Sequence, residues 1–474
     1  MPNARVFVSP LRPLFAVAGL LRAVAFALLL CARGLSQENV LVLVADDVGV
    51  DRVACYAEHP DPGHTPNIDA LAARGVLFRN AWASPLCSPT RAGLLTGRCA
   101  FRTGVGDVVD YTGGKGLPLA EWTLPELLDA GTGGAWDHAA IGKWHLGTSA
   151  AGGPMHPLLS GFRRHRGALG NLGSDAAPGN YFGYLKAVDG RFVPSRVYAT
   201  TDTVDDALDA IAEMSEPWLL YVCFNAAHKP YHAPPDALHS YDLSVPAGPT
   251  PALYMQAMTE AMDTEIGRLL RSLPPPVLRR TDVIFLGDNG TDGDATTPPF
   301  KPLHAKGTVY EGGVNVPLIV AGPRVARPGS ECAALVQATD LFATVAEVAG
   351  IVPAAVLPPD KTLDSVSLLP YLAEPARPPL RRHVFTETFA PNGKGPYSHI
   401  ERALRDARWK LVRKVTVLQG PTGPIESTND ELYDLPADPF EQHDLLDSAP
   451  VPADAAAAYA ELKAALEALL ASGP

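Results

Sequence analysis

Four apolar runs, far apart along the chain, each stop at side chains suited to chemistry, and this pattern constrains the fold more than any other feature. Asn39 to Ala45 (NVLVLVA) is nearly continuous and β-branched, the pattern of a strand buried on both faces, and it ends at Asp46-Asp47. Pro217 to Asn225 (PWLLYVCFN) delivers His228, and Asp282 to Leu286 (DVIFL) runs at once into Asp288-Asn289. A shorter run from His138 breaks at Gly142 and offers Lys143 and His145, which share one face of an extended chain while Trp144 takes the other. Strands of this kind form parallel sheets covered by helices, and such sheets hold their ligands beyond the carboxyl ends of the strands. Laid parallel, the four ends converge on one edge.

The convergence has an electrostatic consequence. Asp46, Asp47, Asp288 and Asn289 would meet as hard oxygen donors with no cysteine or histidine among them, a set that selects calcium or magnesium over zinc or copper. Without a cation the three carboxylates would repel one another. A second constrained stretch is Leu86 to Arg98 (LCSPTRAGLLTGR), where Cys87 stands at the entry to a helix-compatible run. Helix N-termini favour anions, Pro89 presets the first turn, and Arg91 adds a five-donor cation to the same corner. Taken by itself, the stretch reads equally as a buried cysteine before an ordinary helix.

At 474 residues the chain exceeds what one core usually holds, so a large domain with a smaller companion is expected. The formal charge of −12 argues against binding of nucleic acid or of an anionic membrane surface. Arg5, Arg12 and Arg22 precede the apolar run Ala23 to Ala32, with small residues following, which is the order of an export leader over residues 1–36. That predicts a secreted or periplasmic protein without stable membrane insertion. Of six cysteines none forms a Cys-x-x-Cys pair, so a zinc thiolate site is not expected and disulfide pairing stays open. The one glycosylation sequon starts at Asn289, inside the acidic cluster.

The remaining elements follow from periodicity. Helices are expected at Pro66 to Val76, from Thr123 with a capping box to Glu126, at Thr203 to Met214, at Leu253 to Leu273 with its methionines in the core, and at Gln337 to Ala349. Val316 to Ala321 reads as a strand. Residues 152–196 show little period and are expected to be irregular. Proline-rich stretches at 352–359 and 375–379 read as linkers, and a large domain, 37–375, is followed by a C-terminal subdomain, 376–474, with antiparallel strands at Val384 to Phe389, Trp409 to Val412 and Asp430 to Leu435 and a helix from Ala453 to Leu470.

Cys87, Pro89 and Arg91, continued by Leu94, Thr96, Gly97 and Arg98, resemble the sulfatase signature, and His138 to Gly147 resembles the second signature of that family. Glu431 to Leu446 is similar to its usual C-terminal stretch. The resemblance implies an alkaline-phosphatase-like α/β fold, with a mixed, mostly parallel central sheet flanked by helices and a smaller C-terminal α+β subdomain. It implies hydrolysis of a sulfate ester, with Cys87 oxidised by a separate maturation enzyme to formylglycine, and one calcium ion on Asp46, Asp47, Asp288, Asn289 and residue 87. The hydrated aldehyde would attack sulfur through one hydroxyl, and its second hydroxyl would then let the sulfate be expelled. Arg91 and Lys143 would hold the modified residue and the sulfate, His145 would serve residue 87, and His228 with Lys306 would serve the leaving oxygen. Lys143, His228 and Lys306 would also contact the substrate, a sulfated small molecule or glycan. Two other readings share this scaffold: a phosphonate monoester or phosphodiester hydrolase, and an inactive secreted binding protein.

Overall fold

The computed structural model describes residues 38–420 and 423–473, with the side chains of 418–425 left aside. The expected leader, residues 1–36, and Cys31 lie outside the described residues.

Among these, the strands are β1 (Asn39–Ala45), β2 (Gly75–Trp82), β3 (Asp137–Gly142), β4 (Arg164–Gly167), β5 (Gly179–Asn180), β6 (Gly183–Val188), β7 (Arg191–Ser195), β8 (Trp218–Cys223), β9 (Thr281–Gly287), β10 (Leu318–Ala321) and β11 (Ser330–Gln337). They form one sheet of order β11-β2-β10-β9-β1-β8-β3-β4-β6-β5, with β7 paired to β6. The centre β9-β1-β8-β3-β4 is parallel, while β10 is antiparallel to both its neighbours. The main helices are α1 (Pro66–Ala73), α2 (Cys87–Thr96), α3 (Leu124–Thr132), α4 (Ala199–Glu213), α5 (Pro251–Ser272), α6 (Asp340–Val348) and α7 (Ala453–Ala471).

Alternation along β1 builds both layers. Val40, Val42 and Val44 pack on one face with Leu94 of α2, Leu127 of α3 and Phe342 of α6. Leu41, Leu43 and Ala45 pack on the other with Ile68 of α1, Val204 of α4, and Met255, Met258 and Met262 of α5. Those methionines are core, as their helical spacing predicts. A helix on each face is what keeps a parallel sheet this apolar out of water.

A second, four-stranded antiparallel sheet, β12 (Val384–Ala390), β13 (His399–Arg405), β14 (Trp409–Gly420) and β15 (Gly423–Asp434), follows in sequence order. Leu404, Leu411 and Leu432 meet Leu462 and Leu466 of α7, while Val384, Ala403 and Val412 pack on Trp82 and Val314.

Several elements depart from expectation. Residues 152–196, expected to be irregular, supply β4 to β7 and extend the sheet. Gln337 closes β11 instead of opening a helix, and α6 starts at Asp340, whose carboxylate accepts from the Gln337 amide. The helix from Pro66 stops at Ala73, and Gly75 already pairs with Ala321 in β2. The capping box is present: the Thr123 N–H donates to Glu126 at 2.8 Å. Cys55, Cys87, Cys99, Cys223 and Cys332 are all free thiols.

Candidate active site

The parallel register brings the strand ends together. Ala45 lies opposite Gly287, so Asp46 and Asp288 emerge side by side, and the Asp288 N–H donates to the Ala45 carbonyl at 3.0 Å. Val44 lies opposite Cys223, which sets the start of the segment carrying His228 next to Asp46; the Asp46 N–H donates to Ala226 at 2.9 Å. Gly142 is paired with Cys223, and Lys143 and His145 follow.

Two of these residues adopt backbone conformations that favour glycine: Asp47 at φ 64° and His145 at φ 58°. Each costs on the order of 1–3 kcal/mol unless its surroundings hold it. The Asp47 N–H donates to Asp288 Oδ1 at 3.2 Å. His145 is held from both sides, its N–H on the Leu169 carbonyl at 3.0 Å and its carbonyl on the Ser88 hydroxyl at 2.8 Å.

Cys87 begins α2, and its Sγ lies 3.2 Å from Nδ1 of His145. Atoms of Asp46, Cys87 and Asp288 all fall within 4.8 Å of one another, as do atoms of Asp46, Asp47 and His228. Arg91 donates through Nε and Nη2 to Asp288 Oδ2, at 3.1 and 2.7 Å, and through Nη1 to the Lys143 carbonyl at 2.9 Å. The Lys143 ammonium pairs with Asp46, Lys306 with Asp47, and the Asn289 amide donates to Asp47 at 2.9 Å. All ten side chains singled out in the sequence thus meet at one edge of the sheet.

The electrostatics are those of a closed, charge-balanced pocket. Three carboxylates face three cations, one each. Burial opposes the charge of Asp46, yet Lys143 and the other cations hold its carboxyl well below the usual carboxylate range. Asp288 is pushed up to about 7 by burial and by the Asp46 carboxylate. Burial raises the Cys87 thiol, and burial with Lys143 and Arg91 holds His145 well below the ordinary imidazole range, so the two meet as neutral groups. Burial also lowers His228.

The donor set fits a hard divalent cation. Asp46 Oδ1, Asp47 Oδ2 and Asn289 Oδ1 are buried and accept no hydrogen bond. Three unsatisfied acceptors in one place cost roughly 1–3 kcal/mol each, and an oxygen-preferring ion would satisfy them together. The pocket is also tight: Cys87 has no exposed surface, and the partly open members are His228 and Lys306, each 11% exposed in its side chain. Access to residue 87 therefore runs past that pair. Asn289, head of the sequon, is fully buried.

Sequence reasoning missed two supporting residues. Ser88 ties α2 to His145, and only its place between Cys87 and Pro89 marks it. Tyr181 donates its hydroxyl to the carbonyls of Asn225 and His228, the latter at 2.7 Å, from the region that showed no period.

Comparison with known proteins bears on the family and the fold. The sulfatase family model matches residues 38–351, and the model of the N-sulphoglucosamine sulphohydrolase C-terminal region matches 302–471. Human N-acetylgalactosamine-6-sulfatase is 30% identical over 371 residues, 71% of this chain and 66% of that protein. Arylsulfatase A of Bos taurus is 28% identical over 499 residues, covering 93% and 90%. The chain thus spans just under two thirds of the first relative and most of the second. Among solved structures, a sulfatase from Pseudoalteromonas sp. superposes with a TM-score of 0.66 at 23% identity, covering 86% and 85% of the two chains. A protein solved with its substrate D-glucosamine-2-N,6-O-disulfate gives 0.68 at 20% identity, covering 91% and 97%. These likenesses bear out the mixed, mostly parallel sheet with its separate antiparallel companion.

Proposed function

Because the chain belongs to the sulfatase family, whose model matches residues 38–351, we propose that it hydrolyses a sulfate ester at the pocket around residue 87. The single observation that carries this reading is the 3.2 Å approach of Cys87 Sγ to His145 Nδ1 at the start of α2, among three orphaned oxygens and three cations. Sulfur in a sulfate ester is shielded by three oxygens sharing negative charge, so attack needs charge neutralisation, a strong nucleophile and a protonated leaving oxygen.

Asp46, Asp47, Asp288 and Asn289 are the residues that would hold calcium, which when bound would add two positive charges to a pocket otherwise balanced. A neutral, buried thiol is a poor nucleophile, which supports conversion of Cys87 to formylglycine by a separate maturation enzyme. Arg91 fixes Asp288 and the Lys143 carbonyl at once, and so aligns the two walls of the pocket. Lys143 and Lys306 supply ammonium donors for the sulfate oxygens. His145, neutral and against residue 87, is placed to take a proton from it. His228 and Lys306, at the opening, serve the leaving oxygen. The substrate is a sulfated small molecule or glycan, and the leader sequence supports a secreted or periplasmic location.

The test is turnover of an aryl sulfate by protein produced together with a formylglycine-generating enzyme, compared with an aryl phosphonate and a phosphate diester. Preference for the sulfate is expected. Preference for phosphorus, or inactivity on sulfates despite a converted residue 87, would reject the reading.

A further inference from the structure

The hairpin between β5 and β6 is not part of the chemistry above, yet the topology carries it to the same edge. β4 is parallel to β3, and β6 runs back along β4 with Gly167 opposite Ala187. The start of β6 at Gly183 therefore stands four residues past the carboxyl end of β4, roughly 13 Å at about 3.3 Å per residue. Tyr181, in the turn, fastens the hairpin to the site through its hydroxyl on the carbonyls of Asn225 and His228.

The next residue is Phe182, and it is 47% exposed. Its ring is not loose: it packs 5.2 Å from Tyr198 and edge-on, 5.5 Å from His232. His232 in turn lies 4.1 Å from the Tyr181 ring, with Nε2 3.1 Å from the Tyr198 hydroxyl and Nδ1 2.9 Å from the Pro230 carbonyl. An apolar ring is thus backed by two others, mounted on a segment bonded to His228, and turned toward water on its free side.

The inner wall of the catalytic pocket is closed, since Asp46, Asp47, Cys87 and Asp288 have no exposed surface. A sulfate gripped there must point its ester substituent outward past His228 and Lys306. We propose that Phe182, backed by Tyr198 and His232, is a subsite that receives the apolar face of a six-membered ring carrying the sulfate. This deepens the sulfatase reading and rests on it. Aromatic faces favour flat, C–H-rich partners, and the shared chemistry covers both an aryl ring and the apolar face of a sugar.

The test measures kcat/KM of Phe182→Ala for para-nitrophenyl sulfate and for a sulfated N-acetylgalactosamine, together with the inhibition constant of inorganic sulfate, which reports on the inner pocket alone. A fall of about tenfold in kcat/KM is expected for one or both ring substrates, with sulfate inhibition within twofold of wild type and most of the loss restored in Phe182→Tyr. Whichever substrate suffers identifies the kind of ring. Unchanged kcat/KM on both, or a parallel change in sulfate inhibition, overturns the subsite while leaving the hydrolase reading intact. Absence of wild-type turnover on both, with residue 87 converted, overturns the hydrolase reading and the subsite with it.

Discussion

Removing Arg91 should expose how strongly the pocket depends on paired charge. Arg91 and Asp288 are both fully buried, and the guanidinium makes two bonds to Asp288 and one to the Lys143 carbonyl. In Arg91→Met the aliphatic volume is largely kept, but at pH 9, above the value of about 7 to which Asp288 is already raised, that carboxylate loses its cation while facing Asp46, and the Lys143 carbonyl loses its donor. Stranding one member of a buried pair costs about 3–5 kcal/mol. Urea unfolding at pH 9 in chelator, followed by tryptophan fluorescence and by circular dichroism, should show the midpoint falling by the equivalent of up to about 3 kcal/mol, because proton uptake by Asp288 limits the loss. Arg91→Lys keeps the charge but loses the fork, and should fall between wild type and Arg91→Met. Adding Asp288→Asn to Arg91→Met removes the stranded charge and should recover at least 1 kcal/mol, a coupling in the usual range for contacting residues. A loss below 1 kcal/mol in Arg91→Met, or no recovery in the double variant, would refute the argument that charge pairing holds these strand ends together.

Other outcomes are expected from the same geometry. Cys87→Ala should abolish turnover of aryl sulfate while leaving the circular dichroism spectrum unchanged, because one small side chain at the start of α2 carries little of the core; an active variant would remove residue 87 as the nucleophile. His165, buried with Nδ1 3.0 Å from the Ala140 carbonyl, is lowered to about 4 by burial. Its unfolded form binds a proton first, so its contribution to stability is complete above about pH 6.5 and is lost as pH falls toward 4, about 3 kcal/mol in all. His165→Gln should flatten the acid limb of unfolding free energy by that amount, and an unchanged limb would exclude His165 as its source.

How much of this was legible in the sequence depended on whether a residue's partner was local. The β1, β8 and β9 runs were readable because strands buried on both faces need continuous apolar residues, and their ends therefore marked Asp46, His228 and Asp288. β4 to β7 were not, because Arg164, Arg166, Lys186 and Arg191 interrupt the pattern; Arg166 and Lys186 are paired with Glu213 and Asp202, which lie on α4. β13 was missed for a similar reason, since Glu401 and Arg402 alternate with few apolar residues in IERALR. Gln337 was misread because an apolar stretch shared by a strand end and a helix start has no boundary until the Asp340 cap is seen. The closeness of Cys87 to His145 was beyond reach of any periodicity, as it depends on the Ser88 bond and on φ at His145. The enclosure of Cys87 was one of two open readings of its stretch, and only the packing around it decides between them.

Asp46 and Asp47 at the end of β1, with Asp288 and Asn289 at the end of β9, are proposed to form one cage for a divalent cation against residue 87. Calcium titration calorimetry on chelator-stripped protein tests it most directly, run on wild type and on Asp47→Ala. One site per chain in the wild type, weakened at least tenfold in the variant, is the predicted result. No binding in the wild type, or the same binding in both proteins, would contradict the account.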